Sequence, residues 1–543
     1  MKQAHWIWKK QSSYKSYNQT VLFRKKITLP TSPTKARLSI TADSWYRLFV
    51  NGAWVNDGPC RSWHTHYQYD EIDLAPLLRE GQNELRVIAK YWGTGTFHTC
   101  PQQAGFLAQL DLNLSSGQTL TLPTDETWQV ADLPAWQINT PKVSIQMEPQ
   151  EYYDARLETE PVFEPAVILF DAKNAPWQDL HPRDVPLLTR LPVKPSSPPS
   201  ANRVQQPQGW HFCIPVARLV YPEVVEANMN VLLVGGVASL LKLDQPAEVQ
   251  FEEAGVTVYV DGEHASQGIY QLQEGDHLVL VLITQALGHN KDKEFHITLP
   301  PGMELHLEHP LDPTSPNRWC WLDFSEFACQ MDDLPWPHHE LPPVLAENLE
   351  NYLATAEAFG KRINLRESFE VELISRAKLL SEEALFALDT HWRFRKRHMI
   401  GNASDCLEEQ PEGLVIHPVN DADIELIYDL GAQNIGYYSF ELEADEGVEL
   451  DLYGVEYITP EGKIQYTEGN RNGFTYITRQ GLNRFTSTKR RSGRYIFLTF
   501  RNMRSPLTLR NFELIESTYP VQQVGSFRCS DKRLNKIWEI SAH

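Results

Sequence analysis

A short stretch near the start of the chain concentrates side chains that could bind a sugar. Sugar sites combine a flat aromatic ring, which stacks on C–H surfaces, with short polar groups that bond to neighbouring hydroxyls. The stretch from Trp54 to Tyr69 has both, and its candidate sugar-binding residues are Trp54, Asn56, Asp57, Arg61, Trp63, His64 and Tyr67. An aromatic loop of this kind also suits a contact between two domains, and that alternative stays open.

The pair His64 and His66 in the same stretch has a spacing that can bind a metal ion. Residues two apart on a strand lie on one face, so a strand here would bring the two imidazoles together. No third ligand is implied nearby, and no convincing series of oxygen ligands of the calcium-binding type occurs. We therefore predict no metal site and no cofactor.

Acidic residues elsewhere do not suggest a catalytic pair. Inverting hydrolysis of a glycosidic bond needs a carboxyl group and a carboxylate about 6.5–9.5 Å apart. Glu382 and Glu383 fall on a predicted helix face, and Asp421 and Asp423 fall in a predicted loop, where solvated side chains are the simplest interpretation. The chain also lacks the serine-hydrolase, phosphate-loop and zinc-protease motifs. We therefore assign a catalytic role to none of these residues.

Length and charge limit the classes of partner. A chain of 543 residues is too long for one hydrophobic core and predicts three or four domains. Its formal net charge of −20, from 50 basic and 70 acidic residues, argues against nucleic acid or an anionic membrane as a partner. A neutral carbohydrate remains compatible with this charge.

Cysteine usage indicates the compartment. The seven cysteines are scattered, odd in number and without Cys-x-x-Cys spacing, which is typical of free thiols in a reducing environment. The first residues lack the apolar core of a secretion signal, and no stretch approaches a membrane span. These features predict a cytoplasmic protein.

The elements that would position the sugar-binding stretch form a predicted β-domain over residues 1–160. Alternating strands surround the turn Asn51-Gly52, a short helix led by Asp73, and the reversal Gly81-Gln-Asn83. Asn51-Gly52 permits positive φ, and Asp73 can cap the segment that follows it. This order resembles the galactose-binding-like jelly roll that many glycosidases carry at the front.

Further β-structure is predicted downstream. Residues 161–200 are rich in proline, which indicates a linker or an edge segment because proline cannot donate to an interior ladder. Residues 201–335 contain glycine-punctuated strands that predict a second β-sandwich of similar type. We also consider that this second region is inserted into a later sandwich, with the proline-rich segment supplying an early strand.

The period changes over residues 340–410, where a helical connector is predicted. Apolar residues at helical spacing are Ile374, Ala377, Leu380, Ala384, Leu385, Leu388 and Trp392. A basic cluster follows at residues 393–398, where a helix C-terminus favours cations. A nucleic-acid patch is the alternative, but the acidic net charge disfavours it.

Residues 411–522 predict a β-sandwich that we call the adaptor sandwich, and residues 523–543 predict the start of an α-helical domain. Strand-like segments begin near Gly436 and Val448, and the run from Tyr495 to Phe500 is apolar on both faces. The predicted fold class is therefore mainly β, with several sandwich or jelly-roll domains in tandem and a short helical segment.

Several motifs in this last third carry a family resemblance. They are Tyr428-Asp-Leu-Gly431 with Gly436, Tyr453-Gly454 with Glu456, Gly493-Arg-Tyr495, and Gly525-Ser-Phe-Arg-Cys-Ser-Asp531 with Leu534, Asn535 and Ile537. In this order they resemble bacterial α-L-rhamnosidases, as does Glu151-Tyr-Tyr-Asp-Ala-Arg156. The resemblance implies that these domains precede an (α/α)6 catalytic barrel, which Gly525 to Asp531 would open.

The resemblance implies a function for the parent protein. The chain is expected to be the non-catalytic N-terminal portion of an inverting hydrolase that removes terminal α-L-rhamnose, inactive alone. Its expected partners are a rhamnose-containing glycan or glycoside and its own C-terminal catalytic domain, with no nucleic acid and no membrane; a homodimer is also considered. The alternative is a free-standing carbohydrate-binding or scaffold protein of stacked β-domains.

Overall fold

Alternating apolar and polar residues build three β-sandwiches in the computed structural model of the chain. The structure describes residues 1–10, 17–100, 102–220, 230–289, 292–331, 342–363, 373–378, 385–466 and 470–542. Strands predominate over helices in all three sandwiches, so the predicted mainly β fold class is confirmed.

The first sandwich packs a seven-stranded sheet on a six-stranded one. The seven strands are His5–Trp8, Pro33–Ala42, Gln68–Asp73, Phe106–Leu114, Thr119–Pro123, Val167–Asp171 and His181–Pro182. The six strands are Gln19–Leu29, Trp45–Val50, Ala53–Gly58, Gly81–Tyr91, Gln129–Asp132 and Glu164–Pro165. Phe23, Leu48 and Phe106 are fully buried between the sheets, as inward-facing positions of alternating strands should be.

Turn residues of the first sandwich adopt the backbone that their types favour. Asn51 and Gly52 have φ of 49° and 84° and join strands Trp45–Val50 and Ala53–Gly58, so the predicted Asn-Gly hairpin turn is confirmed. The Ala75 amide donates to Asp73 Oδ1 over 3.0 Å, but the segment forms a turn and not the predicted short helix. Pro76 follows too closely for the chain to extend into helical turns.

The adaptor sandwich is a twelve-stranded sheet system assembled from distant parts of the chain. Its strands are Glu151–Asp154, Leu191–Val193, Ser200–Gln205, His398–Asn402, Leu407–Gln410, Gly413–Ile416, Asp423–Ala444, Glu449–Val455, Gly473–Ile477, Gly481–Thr486, Arg491–Arg501 and Leu507–Glu516. Glu151–Asp154 runs parallel to Gly473–Ile477, and Ser200–Gln205 runs antiparallel to Asp423–Ala444. The chain between these early and late strands forms the second sandwich.

The second sandwich contains a four-stranded, a six-stranded and a three-stranded sheet. The four strands are Trp210–Ile214, Ala247–Ala254, Ile269–Leu272 and Lys293–Thr298. The six strands are Gly236–Leu243, Val256–Val260, Gly275–Ile283, His306–Glu308, Cys320–Leu322 and Ala377–Lys378. The three short strands are Asn230–Leu232, Leu287–His289 and Gln330–Met331.

Helices are few in the described ranges. The α-helices are Val216–Val220, Pro343–Arg362, Thr390–Lys396 and Lys532–Ala542, and single 3-10 turns occupy Ala155–Leu157, Ser325–Phe327 and Ser404–Cys406. The helix Pro343–Arg362 buries Tyr352 and Phe359 on the second sandwich. The Tyr352 hydroxyl donates to the Ile283 carbonyl over 2.7 Å and accepts from the Gly235 amide over 3.1 Å.

The helix predicted from the spacing of Ile374 to Trp392 is wrong as a single element. Ala377–Lys378 is a short strand that pairs with Cys320–Leu322, and only Thr390–Lys396 is helical near the end of that range. Leu380, Glu382, Glu383 and Ala384 lie outside the described residues. The apolar residues at helical spacing do not form one helix face. Leu385 packs in the core of the second sandwich, whereas its neighbour Phe386 packs in a separate small cluster.

The last described helix lies apart from the three hydrophobic cores. Lys532–Ala542 buries none of its residues, and Leu534, Ile537 and Ile540 are 48%, 57% and 64% exposed. Within the described ranges, no helix combines the length and apolar character needed to cross a bilayer.

Candidate functional site between the sandwiches

A cleft of about 180 Å³ lies where the first sandwich meets the adaptor sandwich. The first sandwich contributes Arg61, Tyr67 and Lys90 to its lining, and the adaptor sandwich contributes Tyr437 and Arg490. Arg61 keeps a solvent-exposed surface, and partial burial of its guanidinium, followed by the nearby positive charge of Arg490, lowers its pKa. Cations and aromatic rings from two domains therefore share one concave surface.

A buried ion-pair network forms the floor of this cleft. Glu151 Oε2 accepts from Arg491 Nη1 over 3.2 Å, and Glu151 Oε1 accepts from the Thr488 amide and hydroxyl over 2.9 and 2.7 Å. Burial alone would raise the pKa of Glu151, but Lys90, Arg491 and Thr488 outweigh it and lower the pKa to about 2. Glu148 pairs in the same way with Lys489. We call this the first junction.

Arg47 extends the first junction from strand Trp45–Val50 across to the adaptor sandwich. Its guanidinium pairs with Asp57 at 2.8 Å and donates to the Thr486 and Ser487 carbonyls over 3.1 and 3.0 Å. Its face also lies 4.2 Å from the Trp54 ring centroid. One buried cation thus holds a carboxylate, an indole and the neighbouring domain.

The structure separates the predicted sugar-binding residues into two groups. Trp54, Asn56, Asp57 and Tyr67 are engaged within the protein: Trp54 Nε1 donates to Asp57 over 2.7 Å, and Trp54 packs edge-on against Tyr437. Asn56 donates to the Tyr46 hydroxyl over 2.9 Å, and the buried Tyr67 hydroxyl donates to the Asp43 carbonyl over 2.6 Å.

The remaining three candidates lie toward solvent. Trp63 is 54% exposed, its ring lies 5.1 Å from that of the half-buried His64, and Arg61 lines the cleft. The strand predicted for His64 to His66 is wrong: these residues lie in a tight turn closed by a bridge between Trp63 and His66. His66 Nε2 instead lies 3.8 Å from Asp179 Oδ2. The two imidazoles therefore do not share a strand face.

A second buried polar cluster joins the second sandwich to the adaptor sandwich, and we call it the second junction. It brings together His211 and Cys213 from strand Trp210–Ile214, Glu294 from the neighbouring strand, and Asp389 at the start of helix Thr390–Lys396. One ligand-type atom from each residue lies within 4.8 Å of the other three. Arg471 pairs with Asp389 at 3.1 Å and with Glu294.

The electrostatics of the second junction are strongly shifted. Burial would raise the pKa of Asp389, but Arg471 and His211 hold it well below its usual range. Burial raises the pKa of the Cys213 thiol, since it is wholly enclosed. Histidine, cysteine, aspartate and glutamate are the residue types that bind metal ions. The sequence did not indicate this cluster because His211 and Asp389 lie 178 positions apart in the chain.

Two acidic residues considered from the sequence have ordinary surroundings. Asp421 is exposed with φ of 59°, in a turn before strand Asp423–Ala444. Asp423 is half-buried, and burial raises its pKa to about 6.

Comparison with known families identifies the first part of the chain. Residues 31–198 match the family described as the alpha-L-rhamnosidase N-terminal domain. The resemblance predicted from the motifs is thereby confirmed. The search of curated proteins found no match.

Solved structures extend the likeness to the whole chain. A GH78 family rhamnosidase of Bacillus sp. GL1 is 31% identical with a TM-score of 0.83, over 100% of this chain and 57% of that protein. The chain thus spans little more than half the length of this relative. Rhamnosidases from Dictyoglumus thermophilum and Aspergillus terreus each match at 12% identity over 99% of this chain and 38% of theirs, with TM-scores of 0.45 and 0.46. Likeness at that level carries no argument.

Proposed function

Since residues 31–198 match the alpha-L-rhamnosidase N-terminal domain family, we propose that the chain is the non-catalytic β-domain portion of an inverting α-L-rhamnosidase-like hydrolase. The parent enzyme removes terminal α-L-rhamnose from glycans or glycosides. The observation that carries this proposal is the end-to-end likeness to the Bacillus rhamnosidase, of which the chain matches 57%.

Charge pairing in the cleft supports a non-catalytic role. A general acid and a general base must reach the glycosidic oxygen and a water molecule. The cleft carboxylates Glu148 and Glu151 are instead buried against Lys489 and Arg491. Glu151 and Arg491 belong to the adaptor sandwich, and the Lys90 charge of the first sandwich acts on the same Glu151 carboxylate, so these carboxylates are engaged in structural pairs.

The exposed helix Lys532–Ala542 supports a further domain as partner. Leu534, Ile537 and Ile540 recur on one side of that helix and are each about half exposed or more. An amphipathic helix with an uncovered apolar face is stabilised when it packs on another element. The proposed occupant of this face is the catalytic domain of the parent enzyme.

Carbohydrate contact by the first sandwich is a finer part of the proposal. Trp63 offers an exposed ring next to that of His64, and the exposed Arg61 lies two positions earlier in the same segment. Trp54, Asn56, Asp57 and Tyr67 contribute through contacts within the protein. The proposal also includes a cytoplasmic location, since the seven cysteines are scattered, odd in number and without Cys-x-x-Cys spacing.

Activity assays test this function directly. The 543-residue chain and the natural enzyme that contains it are assayed on a panel of aryl glycosides. Turnover of aryl α-L-rhamnoside by the longer protein and none by the chain is the expected result, and rhamnoside turnover by the chain alone overturns the non-catalytic assignment. If no longer protein exists and the chain binds sugar without turnover, the free-standing binding protein is the correct alternative.

A further inference from the structure

Arg471 forms hydrogen bonds to both carboxylates of the second junction, but the atoms that face His211 Nε2 lie farther from it than hydrogen-bond partners do. His211 Nε2 lies 3.4 Å from Asp389 Oδ2, 3.9 Å from Glu294 Oε2 and 3.6 Å from Cys213 Sγ, and Cys213 Sγ lies 4.0 Å from Asp389 Oδ2. Nitrogen–oxygen hydrogen bonds are shorter, about 2.7–3.2 Å. Zinc bonds of about 2.0–2.3 Å in a tetrahedron separate neighbouring ligand atoms by roughly 3.3–3.8 Å.

His211 is the member of the cluster that the protein leaves least satisfied. Its side chain is buried and stacks on Trp392 with ring centroids 5.1 Å apart, which fixes the ring plane. Its Nδ1 atom has no hydrogen-bond partner among the described residues, and its Nε2 atom faces the two carboxylates and the thiol. The stacked ring directs Nε2 at the cluster, and a metal ion on Nε2 would keep the ring proton on Nδ1.

The local structure brings the four ligands to one point. His211 and Cys213 are two apart on one strand and therefore share a face, and Cys213 lies directly across from Glu294 in the antiparallel register. Asp389 caps helix Thr390–Lys396, where its Oδ1 accepts from the His391 amide over 3.0 Å. The cap leaves Oδ2 directed at the cluster.

Arg471 is compatible with a metal ion because it uses different oxygen atoms of Glu294. The guanidinium contacts Glu294 Oε1, whereas Oε2 faces His211. It also donates to Asp389 Oδ2 over 3.1 Å, and its Nη2 lies 4.0 Å from Cys213 Sγ, so it would share two of the ligand atoms with the metal ion as an outer partner. Two carboxylates, one thiolate and Arg471 sum to −2, which a divalent cation neutralises.

We propose that His211, Cys213, Glu294 and Asp389 bind one Zn²⁺ ion that fastens the second sandwich to the adaptor sandwich. Four protein ligands leave no open position for water or substrate, so the site is structural. On binding, the Cys213 thiol gives its proton to solvent and its sulfur forms the bond to zinc. Thiolate and imidazole favour zinc over calcium or magnesium, which take oxygen ligands.

Metal analysis of the full chain tests the site. After incubation with zinc and gel filtration, elemental analysis should find one zinc per chain. The cobalt-loaded chain should show the visible bands of tetrahedral Co²⁺ and a near-ultraviolet thiolate-to-cobalt band. Substoichiometric zinc, or cobalt spectra without a thiolate band, overturns the proposal and leaves Arg471 as the sole cation of the cluster.

A pair of cysteine variants separates ligation from packing. Cys213→Ala should lose the thiolate-to-cobalt band and most of the bound zinc. Cys320→Ala is the matched control, since Cys320 is an equally buried thiol of the same sandwich and lies outside the cluster. It should bind like the parent chain; equal loss in both variants, or in neither, overturns the assignment of Cys213. Should Cys213→Ala not fold, the cobalt spectrum of the parent chain still decides.

Discussion

The two junctions of the adaptor sandwich bury similar charges in different ways. At the first junction, Thr488 and Arg491 donate to the two carboxylate oxygens of Glu151 over 2.7–3.2 Å, so protein donors contact both of those oxygens. At the second, His211 remains 3.4 Å or more from the carboxylates that face it. The comparison teaches that a buried polar cluster should be judged by its separations, because residue types alone do not distinguish an ion-pair network from a ligand set.

The largest loss of stability is expected when a charge is removed from the first junction. Glu151→Gln leaves Arg491 and Lys90 buried without their carboxylate, which should lower the free energy of unfolding by about 3–5 kcal/mol. Denaturant unfolding followed by tryptophan fluorescence measures it. Glu441→Gln, which breaks the exposed pair with Arg484, is the control and should change stability by less than about 0.5 kcal/mol. A similar small loss in Glu151→Gln would contradict the buried network.

Removing a carboxylate charge from the second junction should lower the free energy of unfolding by less. In metal-free protein, Asp389→Asn keeps the helix cap, and Arg471 keeps its contact with Glu294, so we expect a loss of about 1–3 kcal/mol. The same unfolding experiment in the presence of a chelator measures it. A loss equal to that of Glu151→Gln would show that the second junction is as fully paired as the first.

A third buried carboxyl group, that of Asp43, should make the protein less stable as pH rises, whereas Glu151 should make it more stable. Burial raises the pKa of Asp43 to about 6, and hydrogen bonds from Gln102, Ser44 and Trp177 only partly oppose it. The folded state therefore holds a proton that the unfolded state loses near pH 4, so this carboxyl reduces stability as pH rises from about 4 to 6.

The variant Asp43→Asn tests whether Asp43 lowers stability as pH rises. The amide keeps an acceptor for Gln102 and Trp177 but does not ionise, so the variant should gain on the parent by up to roughly 2–3 kcal/mol above pH 6 and by little at pH 4. Thermal unfolding at the two pH values measures the difference. A constant offset between the two proteins would show that the proton has no role.

The smallest change in stability is expected for the exposed residues of the predicted sugar-binding stretch. Arg61→Ala and Trp63→Ala remove exposed side chains and should alter stability by less than about 0.5 kcal/mol. Titration calorimetry with rhamnose-terminated oligosaccharides should nevertheless show weakened binding if this surface contacts sugar. Tyr457→Ala, which removes an exposed ring after the adaptor strand Glu449–Val455, serves as the control.

Local rules in the sequence predict much of the fold. The Asn51-Gly52 hairpin turn and the alternating strands follow from residue type and period, since both depend on neighbours in the chain. The helix expected over residues 374–392 fails because Ala377 pairs with a strand more than 50 positions earlier. Tertiary pairing outweighs helical spacing in such a short segment.

The candidate sites were harder to predict for the same reason. The stretch from Trp54 to Tyr69 was found because its residues are consecutive, yet the sequence could not show that Trp54 and Tyr67 are engaged internally while Trp63 is exposed. The only local signal of the second junction is the His211-x-Cys213 pair, which strand alternation places on one face. Glu294 and Asp389 join it only through sheet register and helix docking.

The assembly of the adaptor sandwich from distant strands has a consequence for its synthesis. Thr189 and Thr518 are 329 positions apart, yet their hydroxyl oxygens lie 3.2 Å from each other beside paired strands. At about 5–20 residues per second, the earlier segment leaves the ribosome roughly 15–65 s before its partner is translated. During that interval its edge is open to wrong partners, so nascent chains should depend on a chaperone until translation passes the last strand.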